Sequence, residues 1–153
     1  MIGRPTTAQI ALDCARELRE TVLPAVHGEA VIVAVQMLEN VMRNLAVRAS
    51  HEIAWMAEET AAMERYVRDA AEALGASTPL VEAIDRFEKA PRVSLHLDDV
   101  VTAYSAAGDA FVLAFEAAAA ADDQDRVNRA RELLNQRSER EIEAMAEWSP
   151  VGR

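Results

Sequence analysis

Residues 30–74 read AVIVAVQMLENVMRNLAVRASHEIAWMAEETAAMERYVRDAAEAL and contain neither glycine nor proline. Apolar residues recur here at intervals of three or four, and their mean step of about 3.6 residues is the period of an α-helix. The members of this pattern are Leu38, Met42, Leu45, Ala49, Ile53, Met56, Met63, Val67, Ala70 and Leu74, with Thr60 as the one polar member. The pattern predicts an all-α protein built around one long central helical region.

The sequence leaves open whether this region is one helix or two. One helix would be about 67 Å long, whereas a typical helix has about 11–12 residues. Ser50 can cap a new helix, so a kink or short turn near Ser50 is the alternative. Continuity would favour a homodimer, because a small monomer cannot cover so long an apolar face.

The first residues of this region, AVIVAV at positions 30–35, would also suit a buried β-strand. No second strand pattern is available to pair with them, and an unpaired strand leaves its backbone groups unsatisfied. We therefore predict a helix here that is apolar all round and deeply buried.

Capping and breaking residues divide the remaining sequence into further helices. We predict a first helix over residues 7–22 capped by Thr6 or Thr7, and a stop at Gly75. Three more helices are predicted: a short one starting at Thr78-Pro79, one from Asp98 to Ala121 in which Gly108 permits a close helix crossing, and one starting after Asp122 or Asp123. The prediction is a single helical domain over residues 1–153, a bundle of five or six helices.

Composition narrows the classes of partner. The chain has 153 residues and a net charge of −10, which disfavours nucleic acid and anionic membrane surfaces as partners.

The one cysteine, Cys14, cannot form an internal disulfide, and we predict that it is a small buried hydrophobe. With no apolar leader at the N-terminus and no unbroken apolar run of membrane-spanning length, we predict a cytoplasmic protein.

No catalytic or cofactor motif is present, and we predict neither catalytic residues nor a cofactor. Metal-binding helical bundles use Glu-x-x-His pairs. The residues three positions before His27, His51 and His96 are Pro24, Arg48 and Val93, so this motif is missing. A metal-binding bundle is the weakest of three hypotheses.

One group of side chains could bind a small ligand. His51, Trp55 and Glu58 share a helix face at i, i+4 and i+7, and Arg43 lies upstream. A histidine beside a carboxylate can act as a general base. A partly exposed histidine near a helix start is the simpler interpretation.

The first third of the chain resembles a family of short bacterial all-helical proteins of unknown function. The resemblance rests on Arg4-Pro5-Thr6-Thr7-Ala8, on Val22-Leu23-Pro24-Ala25, and on residues 36–45, QMLENVMRNL. The last stretch fits a family helix that reads Asn-Ala-Leu-x-x-Val-x-Arg-Glu-Leu, with Gln36 and Asn44 in place of its asparagine and glutamate. Family members are often encoded beside aminoglycoside-phosphotransferase-like proteins and acyl-CoA dehydrogenases, and the resemblance implies a partner enzyme of one of these types.

The leading hypothesis is a non-enzymatic accessory protein, a homodimeric helical bundle that docks onto a cytoplasmic protein partner. The alternative is an enzyme or small-ligand binder with an apolar pocket between helices, with Arg43, His51, Trp55 and Glu58 at its mouth.

Overall fold

A computed structural model describes residues 4–91 and 93–145 of the chain. Within these ranges the protein is helical and contains no strand, which confirms the all-α prediction. The helices are α1 (Thr7–Glu17), α2 (Leu23–Ala25), α3 (Glu29–Leu74), α4 (Thr78–Lys89), α5 (Leu97–Ala120) and α6 (Gln124–Ala144). A π-helical turn, Leu18–Val22, lies between α1 and α2, so the first helix loses its α-helical geometry earlier than predicted.

The long region is one continuous helix. Ser50 does not start a new helix, because its hydroxyl donates a hydrogen bond to the carbonyl of Ala46 at 3.0 Å. Glycines flank α3 at both ends, Gly28 with φ of 96° and Gly75 with φ of 77°. Residues with a Cβ rarely adopt this left-handed conformation, so glycine stops the helix at Gly75 as predicted.

The helix starts lie within two residues of the predicted ones. Thr6 caps α1 in a reciprocal arrangement with Gln9. The cap of α4 is Ser77 and that of α5 is His96, upstream of the predicted Thr78 and Asp98. The carboxylate of Asp123 accepts from the backbone N–H of Arg126 at the start of α6.

The chain divides into two compact units, and the prediction of a single domain remains a prediction. Unit 1 contains residues 4–52 and 140–145 of the described chain, and unit 2 contains residues 53–139.

Unit 2 has a core shared by four helices. Its largest fully buried side chain is Leu80, and the rings of Tyr66 and Phe111 contact each other with centroids 5.0 Å apart. The buried cluster consists of Tyr66, Val67 and Ala70 of α3, Leu80 and Ala83 of α4, Ala110, Phe111 and Ala114 of α5, and Ala130 of α6. The C-terminal part of the predicted apolar pattern is thus covered by α4, α5 and α6. Gly108 is not at a close crossing, because a Cβ there would meet no atom within 4 Å.

Unit 1 buries far less. Its buried hydrophobic residues among those described are Ala11, Ala15, Val35 and Ala46. The prediction that Cys14 is buried is wrong: Ala11 and Ala15 form the inner face of α1, and Cys14, one position before Ala15, is turned away from it and exposed. The prediction that residues 30–35 are deeply buried also fails in the single chain, where only Val35 is buried.

The core of unit 2 yields a direct stability test. Leu80→Ala removes a side chain that is 1% exposed and should lower the free energy of unfolding by about 2–5 kcal/mol. Val81→Ala, at the neighbouring position that is 51% exposed, is the control and should cost well under half as much. Urea titration followed by circular dichroism measures both. Equal losses would contradict the assignment of Leu80 to the core.

Candidate interaction surface

The first half of α3 exposes a continuous apolar surface, which we call the open face. It consists of Ala30, Ala34, Met37, Leu38, Val41 and Leu45, which recur every three or four residues and are exposed. Val31 and Val33 flank it and are also exposed. The buried residues of the same segment, Val35 and Ala46, lie on a different side of the helix.

The six larger side chains of the open face and its flanks, all but the two alanines, are between 45% and 56% exposed. Together these six side chains expose roughly 500 Å² of apolar surface. This is within the range of about 300–600 Å² for the largest apolar patch on a typical monomer. Two copies joined through this surface would bury about 1,000 Å², the lower bound for a specific interface. The open face is therefore large enough to be an interaction site.

A polar ladder runs along the adjoining side of the same helix. The Glu39 carboxylate, only 12% exposed, accepts a hydrogen bond from Nε of Arg43 at 2.7 Å and lies 3.8 Å from Nε of Arg19. Further along the ladder, Asn44 donates to Asn40 at 3.0 Å. Polar side chains here are half-buried while apolar ones are exposed, which reverses the usual pattern of a helix on a protein surface. This reversal is what singles out the open face.

The predicted ligand-binding residues all lie on α3. Arg43, 35% exposed, forms an ion pair with Glu39. His51 and Glu58 are exposed, and Trp55 is half-buried. Arg43 and His51 belong to unit 1, whereas Trp55 and Glu58 belong to unit 2.

Surface depressions along the described residues include three that are lined by other side chains than these four. One involves Leu12 and Asp13 of α1, one surrounds Arg126 of α6, and a small apolar one lies beside Phe87 of α4. The ligand site remains a prediction.

The three histidines are all exposed. In the part of the chain that the structure describes, no three His, Cys, Asp or Glu side chains come together in a way that could hold a metal ion. The metal hypothesis gains no support from this geometry.

A charged cluster joins α3 to α6 in unit 2. Asp69 accepts from Nε of Arg126 at 3.0 Å and also pairs with Arg129. Desolvation raises the pKa of Asp69, but the hydrogen bond from Arg126 and the charges of both arginines outweigh it and hold the pKa below the ordinary 3.8. The cluster is explained as a structural ion-pair network.

Tyr66 lies beneath this cluster and carries a buried hydroxyl. Within the described residues this oxygen has no hydrogen-bond partner. Desolvation raises the pKa of Tyr66 above 10.0, although Arg129 and Arg126 oppose the effect. A phenol with a raised pKa stays protonated at neutral pH, so nothing here activates it as a base or nucleophile.

In the described parts of the chain, α3 and α5 each contain a segment long and apolar enough to cross a membrane, with a mean hydropathy of 1.3. Length and composition alone do not distinguish a membrane span from a core helix, because core helices share both properties. Seven residues of α5 are buried among its neighbours. In α3 the apolar sequence is interrupted by Glu39 and Arg43, and an arginine at the centre of a membrane costs about 2.5–3.5 kcal/mol.

Comparison of the chain with known protein families, with curated proteins and with solved structures found no match. The family resemblance of residues 4–45 therefore remains a prediction.

The charged cluster makes stability depend on acid pH. The lowered pKa of Asp69 means that its carboxylate stabilises the fold above about pH 3.8, and that this contribution is lost as the pH falls through the folded-state pKa. Asp69→Asn should lower the urea midpoint at pH 7, and the difference from the unchanged protein should shrink below pH 4.

The matched control is Asp109→Asn, which removes the same charge from an exposed position on α5. A destabilisation by Asp69→Asn that is the same at pH 7 and at pH 3 would contradict a role for the ion pairs.

Proposed function

We propose that this is a non-enzymatic interaction protein, a homodimer held together through the open face of α3, which docks onto a partner protein in the cytoplasm. The observation that carries the proposal is the exposure of Met37, Leu38, Val41 and Leu45 on a helix whose polar ladder is half-buried.

The small core of unit 1 is an argument that a second chain packs against it. Its buried hydrophobic residues are three alanines and one valine among those described. Ordering a residue costs roughly 1–2 kcal/mol in backbone entropy alone, and alanine returns little apolar area. Additional apolar contacts would therefore stabilise unit 1, and a dimer would supply them by coupling folding to association.

Symmetry favours a second copy as the first occupant of the open face. Closed two-fold dimers are the commonest oligomers, and one self-complementary patch is enough to form them. The family resemblance suggests what the dimer docks onto, an enzyme of acyl-CoA or phosphotransferase type.

Val41→Asp tests the dimer. Val41 is 56% exposed on the open face, and Val81, 51% exposed on α4, is a matched control outside it. Light scattering should give two chains per particle for the unchanged protein and for Val81→Asp. Val41→Asp should give single chains or a lower melting temperature, because a charge would be buried unpaired in the interface.

A mass of one chain for the unchanged protein at every concentration would overturn the homodimer, as would an intact Val41→Asp dimer of unchanged melting temperature. Binding of the single chain to phospholipid vesicles would favour a membrane as the occupant and also contradict the proposal.

Docking to the partner enzyme needs a separate test. The full chain is used as bait in an extract of the native cell, and bound proteins are identified by mass spectrometry. Recovery of an acyl-CoA dehydrogenase or a phosphotransferase-like protein is expected, and direct binding of that purified enzyme must follow. Failure of the purified enzyme to bind would contradict this part of the proposal.

A further inference from the structure

We propose that two copies of α3 pair antiparallel across the open face, about a two-fold axis that passes near Leu38 and Val41. This inference rests on the homodimer proposed above and adds its orientation and register.

Side-chain size along the open face supports the antiparallel orientation. The face begins with small residues, Ala30 and Ala34, and ends with the large Leu45. Side chains at the contact set the 8–10 Å distance between packed helices. In a parallel pair, alanine would face alanine at one end and leucine would face leucine at the other, so the helix axes would diverge. In an antiparallel pair, Ala34 faces the partner's Leu45 and the spacing stays even.

The register follows from the same complementarity. When Ala34 lies opposite the partner's Leu45, Leu38 lies opposite the partner's Val41, and the two-fold axis repeats both contacts. The face then contains two contacts between Ala34 and Leu45 on either side of a centre formed by Leu38 and Val41. The half-exposed apolar residues of each copy cover those of the other.

Charge at the end of the open face favours the same arrangement. Arg48 and Glu52 follow Leu45 and form an ion pair at 3.3 Å. In the antiparallel register the two Glu52 carboxylates lie far apart, each beside the start of the partner's α3, where Glu29 as well as unpaired N–H groups with partial positive charge are found. A parallel pair would place the two Glu52 carboxylates together.

Cross-linking of mixed variants tests the orientation. In a Cys14→Ser background, one chain carries Ala34→Cys and another, distinguished by a mass tag, carries Leu45→Cys. The chains are mixed, allowed to exchange subunits, and treated with a bismaleimide about 8 Å long, which matches the spacing of packed helices. The expected product joins the two different chains.

Products joining like chains should be rare, because eleven residues separate the two Ala34 positions along an antiparallel pair, about 16 Å. Predominant like-with-like products would overturn the orientation. A dimer of correct mass with no cross-link between unlike chains would overturn the register.

A spin label at Arg48 gives a second measurement that leaves the apolar contact intact, since Arg48 is 63% exposed at its edge. In the proposed register, the helix positions of the two Arg48 residues are seventeen residues apart, about 25 Å. Labels at Arg48→Cys in the Cys14→Ser background should show a distance in this range. A distance below about 15 Å would indicate parallel helices and contradict the inference.

Light scattering of the same samples separates the two proposals. A particle mass of one chain would contradict both the proposed homodimer and the antiparallel pairing. A dimer mass with the wrong cross-links or label distance would contradict only the antiparallel pairing.

Discussion

The constraint on which the structure depends is that α3 carries apolar residues over more of its surface than its own chain covers. In unit 2 the chain meets this demand, because α4, α5 and α6 bury Val67 and Ala70 of α3. In unit 1 the only residues of α3 that are buried, among those described, are Val35 and Ala46. The open face remains, and covering it is the physical basis of the proposed assembly.

The alanine-rich composition sharpens this constraint. Five of the nine residues in the core of unit 2 are alanines, and each contributes little apolar area. The larger contributions come from Leu80, Phe111 and Tyr66, which explains why a core of four helices forms in unit 2. Among the described residues of unit 1, the buried ones include no counterpart to these side chains, so contacts with a second chain would add to its stability.

The sequence predicts the helices well because their signals are local. The 3.6-residue period, Gly75 and the caps near Thr6 and Asp123 act within one or two turns.

Burial is less predictable, because it depends on which chain segments are present to cover a face. The segment 30–35 reads as a buried helix, yet Val31 and Val33 are exposed in the single chain. Cys14 shows the same limit, since spacing alone does not reveal that alanines form the inner face of α1.

For the candidate site, both the apolar and the polar periodicities of α3 can be read from the sequence. Tertiary packing decides which of these sides is covered. It places Glu39 and Arg43 on the more covered side and Met37 and Leu38 on the exposed side.

The central claim, that the open face is covered in the functional assembly, is tested most directly at Met37, which is 55% exposed in the single chain. Hydroxyl-radical footprinting measures how fast its sulfur is oxidised in the unchanged protein as the protein concentration is raised. If the open face is covered by a second chain, the oxidation of Met37 slows as chains associate and reaches a low plateau. Rapid oxidation that does not change with concentration would contradict this claim.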